Sequence, residues 1–168
     1  MIIVVEGTDN AGKTTLALSL AKKTKAIYVK SENIPPKDEY VRQYSDILIA
    51  SSMYGNGLVI TDRHHCVSEP IYGPIVRGAS SISPSICPTF LRQVGIFIYC
   101  RPGNKVITMN MNERQQMSGV VNNIEAIIQE YDKFFLSEGI KERTLRYDWT
   151  KDSEQVLVQE IKRHARFS

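Results

Sequence analysis

Residues 1–15 read MIIVVEGTDNAGKTT, and this stretch decides the fold. Residues 2–5 are all apolar, as expected of a buried strand, and a glycine-rich segment follows them at once. Residues 7–14, GTDNAGKT, match the pattern G-x-x-x-x-G-K-[ST]. Apolar residues then recur at helical spacing over 13–24. A strand, this loop and a helix in that order are typical of a segment that binds the phosphates of a nucleotide.

The residue types in the loop explain how it would hold phosphate. Gly7 and Gly12 allow the backbone to curl so that its N–H groups point inward. We expect the Lys13 side chain to reach the β- and γ-phosphates and the Thr14 hydroxyl to ligate Mg²⁺. A chance glycine-rich turn is the alternative, which the full pattern and its context disfavour. The predicted nucleotide-binding residues are Gly7, Asn10, Ala11, Gly12, Lys13, Thr14 and Thr15.

Length and composition limit the class of protein. A chain of 168 residues with 42% hydrophobic residues is the size of one globular domain, so we expect a single domain over 1–168. The net charge of +3 suits an anionic ligand but argues against nucleic acid. Three cysteines without metal-ligand spacing favour a reducing, cytoplasmic location. The apolar run at the start is too short for a signal peptide or a membrane span.

Apolar runs alternate with helical patterns along the rest of the chain. Strands are predicted over 2–5, 26–29, 58–61, 96–100 and 144–147. Helices are predicted over 13–24, 38–54, 89–93, 102–111, 120–135 and 153–166. Residues 64–95 remain ambiguous because they hold four of the seven prolines. The alternation predicts an α/β fold in which a central parallel five-stranded sheet is flanked by helices.

A second polar segment follows the strand predicted over 58–61. Asp62 and Arg63 lie at its carboxyl end, where ligands bind in open parallel sheets, so we expect them to share a cleft with Lys13. The Asp62 carboxylate can hold Mg²⁺ or orient an attacking oxygen. The planar Arg63 guanidinium can clamp a second phosphate group. A surface ion pair at the strand end is the alternative.

These two segments resemble a known family. Residues 6–15 are similar to the thymidylate kinase loop E-G-x-D-x-A-G-K-[ST]-T. Asp62-Arg63 is similar to that family's D-R-Y-x-x-S segment and to the related strand end of deoxynucleoside kinases. Residues 68–78, SEPIYGPIVRG, also resemble phage-encoded nucleotide kinases of this group. The resemblance implies a P-loop kinase fold of deoxynucleoside monophosphate kinase type with a short lid.

The resemblance also implies roles for acceptor-binding residues. Asp9 would approach the sugar or phosphate of the acceptor, and Arg63 would hold its phosphate. Arg42 would contact the same phosphate. Apart from the resemblance, Tyr44, Tyr72 and Phe90 are aromatic candidates to stack on the base, with a core or surface position as the alternative for each. The chain departs from the family at His64, where the family has tyrosine.

The resemblance implies a catalytic arginine as well. Some thymidylate kinases carry one in the loop at the position of Asn10, and others carry it in a mobile lid. The lid predicted here is about 112–120, and it contains one arginine, Arg114. We expect Arg114 to neutralise the transferring phosphoryl group, with Arg101 as the second candidate.

These observations predict Mg²⁺-dependent transfer of the γ-phosphoryl group of ATP to a (deoxy)nucleoside monophosphate. A deoxynucleoside kinase that acts on a 5′-hydroxyl, with Glu6 or Asp62 as the base, is the alternative enzyme. A nucleotide-binding switch is the alternative from another class. We expect a small nucleotide acceptor, ATP and Mg²⁺ as partners, and no membrane; a homodimer is left open.

Overall fold

Five parallel strands form the centre of the structure. The computed structural model describes residues 1–31, 39–53, 57–83, 85–112 and 119–165. The strands are β1 (Ile2–Glu6), β2 (Ile27–Lys30), β3 (Val59–Asp62), β4 (Val94–Cys100) and β5 (Thr144–Tyr147), in the order β2-β3-β1-β4-β5. The predicted five-stranded parallel sheet is therefore confirmed.

Helices connect the strands, because parallel neighbours need a crossover connection. They are α1 (Lys13–Thr24), α2 (Glu39–Met53), α3 (His65–Tyr72), α4 (Cys87–Gln93), α5 (Asn104–Asn112), α6 (Ile124–Leu136) and α7 (Glu154–Ala165). A five-residue π-helix, Gly73–Arg77, continues α3. The ambiguous stretch 64–95 thus holds two helices and this π turn. Pro74 and Pro88 stand in the first turns of their helices, where a missing N–H costs little.

Both faces of the sheet are covered. Side chains of β1 alternate between two apolar clusters, with Ile2 and Val4 in one and Ile3 and Val5 in the other. The first cluster contains residues of α3, α4 and α6, and the second contains residues of α1 and α7. Burial on both faces explains why the strand at 2–5 is continuously apolar. In the described ranges, no helix is both long and apolar enough to cross a membrane.

The strand order positions the candidate site. Val5 of β1 lies beside Asp62 of β3, and Glu6 lies beside Tyr99 of β4. The loop that follows β1 therefore emerges between the carboxyl ends of its two neighbouring strands. The two segments singled out in the sequence, 57 residues or so apart, meet at this edge of the sheet.

Candidate active site

The two motif glycines adopt conformations that other residues rarely accept. Gly7 has φ +144°, and a Cβ there would lie 2.4 Å from the carbonyl oxygen of Cys100. Gly12 has φ +85°, caps α1, and would bring a Cβ within 3.2 Å of the Trp149 ring. Steric space and backbone conformation thus both require glycine. The loop conformation follows directly from the motif.

Lys13 folds back over the loop. Its side chain is buried, and Nζ donates a hydrogen bond to the carbonyl oxygen of Thr8 at 2.5 Å. Burial, and after it the positive charge of Arg63, lower the pKa of Lys13 to about 8. Two cations that face one cleft repel each other, so an anion between them is electrostatically favoured.

The predicted metal ligands lie together. Thr14 Oγ1 donates a hydrogen bond to Asp62 Oδ2 at 2.6 Å, and the Tyr28 hydroxyl donates to the same oxygen at 3.1 Å. A hydroxyl and a carboxylate are hard oxygen donors of the kind that Mg²⁺ takes, usually beside waters and substrate phosphates. The pair fits a magnesium ion held partly by a nucleotide.

Arg63 is held in an unusual conformation at the end of β3. Its φ is +67°, which is the left-handed region, and its backbone N–H donates to the carbonyl of Val5 at 2.9 Å. The guanidinium forms an ion pair with Asp9 and lies over the Tyr72 ring, 5.2 Å from the centroid. The Tyr72 hydroxyl in turn accepts the Asp9 backbone N–H at 3.1 Å. Three predicted acceptor-site residues therefore form one connected group.

Glu6 braces this end of the sheet. It has no exposed surface and accepts hydrogen bonds from the backbone N–H of His64 at 2.7 Å and of Gly7 at 3.3 Å. It also accepts one from the Tyr131 hydroxyl at 3.0 Å. Burial raises the pKa of Glu6. These contacts favour a structural role for Glu6 over that of a base.

His64 and Phe90 pack against each other below the site. Their rings stack with centroids 3.4 Å apart and 7° between planes. His64 Nδ1 caps α3 by accepting the backbone N–H of Cys66 at 3.1 Å. Burial lowers the pKa of His64 to about 3, so the ring is neutral. His64 is therefore a packing and capping residue.

Two cavities open beside the phosphate loop. The larger, of about 670 Å³, is lined by Asp9, Asn10, Lys13, Thr14, Lys30, Ser31, Asp62, Arg63, His65, Ser68, Glu69, Tyr72 and Arg77. The smaller, of about 390 Å³, is lined by Asn10, Gly12, Thr15, Leu16, Asn110, Tyr147, Trp149 and Glu154. Asn10 of the loop lines both cavities. The cavities therefore lie on either side of the loop and adjoin each other at Asn10.

Asn10 also connects the loop to α5. Its Nδ2 donates to the carbonyl of Asn110 at 3.2 Å, and Asn110 Nδ2 donates to the carbonyl of Asn10 at 3.2 Å. The motif predicts that Asn10 binds nucleotide but gives no sign of Asn110 as its partner. The α5 helix leads directly to the predicted lid, so the pair joins the loop to the base of that segment.

Of the predicted arginines Arg42, Arg101 and Arg114, Arg101 is the one whose side-chain contacts the structure describes. Arg114 and the Arg42 side chain lie outside the described residues. Arg101 Nε and Nη2 donate to the carboxylate of Asp132 at 3.0 and 3.1 Å, and Nη1 donates to the carbonyl of Pro102 at 2.8 Å. All three guanidinium nitrogens of Arg101 are thus engaged, two with Asp132 of α6 and one with the carbonyl of the adjacent Pro102. This geometry argues against Arg101 as the catalytic arginine.

Several cavity residues were missed at the sequence level. Lys30 ends β2, Ser31 follows it, and Trp149 follows β5, so their strand-end positions were a usable signal. Glu69 and Arg77 lie within the proline-containing stretch that gave no clear pattern.

No family model and no curated protein sequence match the chain. Solved structures do match it. The YorR protein of Bacillus subtilis, solved in complex with phosphorylated GDP, has a TM-score of 0.70 at 17% identity, covering 96% of this chain and 94% of that one. Deoxyadenosine kinase from M. mycoides with bound dATP has a TM-score of 0.61 at 17% identity, covering 97% and 98%.

The chain has the P-loop kinase fold. The NadR protein in complex with NR is a further match, with a TM-score of 0.62 at 15% identity, and this chain covers 51% of its length. The fold class is confirmed by these neighbours together with the parallel sheet.

Proposed function

We propose that this protein transfers the γ-phosphoryl group of ATP to a (deoxy)nucleoside monophosphate in a Mg²⁺-dependent reaction. The observation that carries the proposal is the pair of cavities that meet at the phosphate loop. A kinase of this type must hold two nucleotides with their phosphates end to end. A nucleotide switch needs one nucleotide site, so the second, charged cavity favours a kinase.

The smaller cavity suits the donor. Tyr147 and Trp149 offer aromatic surface to a base, and Gly12 and Thr15 lie at the start of α1. The N-terminus of that helix and Lys13 would hold the donor phosphates. This orientation would direct the γ-phosphate towards the larger cavity, on the side of Asp62.

The larger cavity suits the acceptor. Arg63 presents a guanidinium to it between the phosphate loop and Tyr72. A guanidinium binds a phosphate through two parallel hydrogen bonds, which a 5′-hydroxyl cannot accept in the same way. Arg63 therefore supports a monophosphate acceptor. In the reaction, an oxygen of that phosphate forms a bond to the γ-phosphorus and the bond to the β–γ bridging oxygen breaks, releasing ADP.

Thr14 and Asp62 are the residues that would hold Mg²⁺. When bound, the ion neutralises charge that develops on the phosphate oxygens. Lys13 would neutralise part of that charge, and we propose Arg114 of the 112–120 segment for the remainder. We also propose that residues 1–168 form a single kinase domain, which acts on small nucleotides in the cytoplasm.

A deoxynucleoside kinase is the second candidate, and one observation favours it. The Asp9 carboxylate reaches into the larger cavity, about a quarter exposed, where it would accept a proton from a 5′-hydroxyl. A structural neighbour is itself named a deoxyadenosine kinase. In this alternative Arg63 would serve to hold Asp9 rather than to bind a phosphate.

A substrate panel tests the proposal. The protein is incubated with ATP, Mg²⁺ and each common nucleoside, deoxynucleoside and their 5′-monophosphates, and products are separated by ion-exchange chromatography. We expect diphosphate products, and none with the Lys13→Ala variant. Phosphorylation of nucleosides alone would establish the second candidate instead. ATP hydrolysis without any phosphorylated acceptor would overturn both.

A further inference from the structure

A buried carboxylate fixes an arginine in the wall of the larger cavity. Glu69 of α3 is 3% exposed, and both of its oxygens accept hydrogen bonds from Arg77 Nη2 at 2.6 Å. Glu69 Oε1 also accepts the backbone N–H of Ser81 at 2.8 Å and its hydroxyl at 2.5 Å. Both Glu69 and Arg77 line the cavity. The pair is a built feature of the site with no part in the phosphate chemistry described above.

The local chain is shaped to make this arrangement. The π turn Gly73–Arg77 brings Arg77 back over α3, and residues 78–81 fold against Glu69. A Cβ at Gly73 would lie 2.7 Å from the carbonyl oxygen of Ala79 and 2.9 Å from Glu69 Oε1. A side chain larger than hydrogen would therefore separate the turn from the carboxylate.

Glu69 is ionised at neutral pH. Burial opposes its ionisation, but hydrogen bonds from Ser81 and Arg77 outweigh burial and lower its pKa. The guanidinium of Arg77 is therefore already balanced by a full negative charge.

Arg77 keeps donors for a ligand. About a third of its side chain is exposed, on the cavity side. Among the described residues, no protein atom accepts a hydrogen bond from its Nε or Nη1. A guanidinium has donors only, so it distinguishes a carbonyl oxygen from an amino group at the same position.

Position along α3 separates the two arginines of this cavity. Arg63 lies two residues before α3, at the phosphate-loop end, whereas the Arg77 guanidinium contacts Glu69 on the second turn of the helix. At 1.5 Å per residue, Glu69 lies roughly 6 Å along the axis from the first residue of α3. An acceptor whose phosphate contacts Arg63 would direct its base along α3, towards Arg77.

We propose that Arg77, positioned by Glu69, reads the acceptor base and selects an oxo group over an amino group. The inference rests on the proposed function for the orientation of the acceptor. Guanine presents O6 and N7 to an arginine, whereas adenine presents an amino group beside N7. Thymine and uracil differ from cytosine in the same way at position 4. The preferred acceptors are thus guanine or thymine and uracil nucleotides, each over its amino counterpart.

The test compares matched bases. Dissociation constants for dGMP, dAMP, dTMP and dCMP are measured by calorimetry, and KM and kcat by product formation where turnover occurs. We expect the wild type to bind the oxo base of at least one matched pair, dGMP over dAMP or dTMP over dCMP, roughly ten- to a hundredfold more tightly. Arg77→Met should remove most of that ratio while kcat for the oxo base falls by less than about threefold.

Two further variants separate recognition from folding. Glu69→Gln keeps the shape of the carboxylate but not its charge, so the ratio should fall in part because Arg77 is less firmly held. Arg92→Met removes an exposed arginine of α4 and should leave the ratio unchanged. Thermal unfolding of each variant is recorded alongside.

Each result decides the inference. A ratio that survives in folded Arg77→Met overturns it, as does an equal loss of affinity for all four nucleotides, which would place Arg77 on phosphate or sugar. A wild type without oxo preference, or one that binds none of the four, also overturns it. If nucleosides rather than monophosphates are the acceptors, the matched ratios are measured with nucleosides, so the proposed function can fail while base selection by Arg77 stands.

Discussion

Replacing Arg63 with alanine separates the two candidate functions. In the structure the guanidinium is largely enclosed, with 22% of the side chain exposed, between the Asp9 carboxylate and the Tyr72 ring. Its removal takes a charged partner from an acceptor phosphate and leaves the Asp9 carboxylate, 25% exposed, beside that phosphate. Truncation of one partner of such a charge pair costs on the order of 2–5 kcal/mol. At about 1.4 kcal/mol per tenfold, KM for the monophosphate should rise roughly 30-fold to a few thousandfold.

The assay follows initial rates at saturating ATP and Mg²⁺ against a series of acceptor concentrations, for both the monophosphate and its parent nucleoside. A phosphate contact predicts a large rise in KM for the monophosphate and little change for the nucleoside. Thermal unfolding of the ligand-free variant shows whether the loss is one of folding.

Arg63→Gly is the matched control. The left-handed backbone at position 63, φ +67°, costs a residue with a Cβ roughly 1–2 kcal/mol, and glycine removes most of that cost. Arg63→Gly should therefore be about 1 kcal/mol more stable than Arg63→Ala yet show the same KM. If folded Arg63→Ala retains the wild-type KM and turnover, the phosphate contact does not exist and the monophosphate proposal is wrong.

Five further predictions concern single side chains. Lys13→Ala should lose transfer by several orders of magnitude without unfolding; a folded variant that turns over normally would refute the phosphate-loop assignment. Because Trp149, the only tryptophan, lies against Gly12, ATP should change its fluorescence in the wild type, and an unchanged spectrum at saturating ATP would refute the donor site proposed there. Asp62→Asn should lower activity and raise the Mg²⁺ concentration for half-maximal rate, whereas an unaltered Mg²⁺ profile at full activity would leave Asp62 in a structural role. Arg114→Ala should lower kcat by a factor of about 10³ and raise KM far less. A normal kcat would exclude Arg114 as the catalytic arginine. Glu69→Gln should lower the free energy of unfolding by about 2 kcal/mol at pH 7. Because the pKa of Glu69 is lowered in the fold, its stabilisation is complete above the unfolded pKa of about 4.5 and is lost as the pH falls through the folded pKa. A difference in unfolding free energy between wild type and variant that persists in acid would contradict this assignment.

The phosphate loop could be derived from sequence because its determinants are local. Gly7, Gly12 and Lys13 lie within seven consecutive residues, and their roles depend on backbone conformation and the direction of one helix. Asp62 could be added because strand ends in a parallel sheet share one edge, so a short pattern sufficed to predict a contact between distant residues. Four of the five strands could be predicted because each is a short, mainly apolar run between turn or helix signals, whereas the strand at 144–147, TLRY, is half polar.

The rest of the site depended on contacts that no local pattern encodes. Glu6 is bound by Tyr131 across 125 positions and Asn10 by Asn110 across 100. Glu69 and Arg77 are only eight residues apart, yet their ion pair forms because a π turn and a close-packed glycine reverse the chain over α3. Sequence spacing reveals such pairs only when the backbone between them is regular. The end of the cleft where we propose that phosphate binds was therefore determined by the sequence alone. The wall that would face the acceptor base was decided by tertiary packing, because its residues come from irregular turns and separate elements whose proximity exists only in the folded chain.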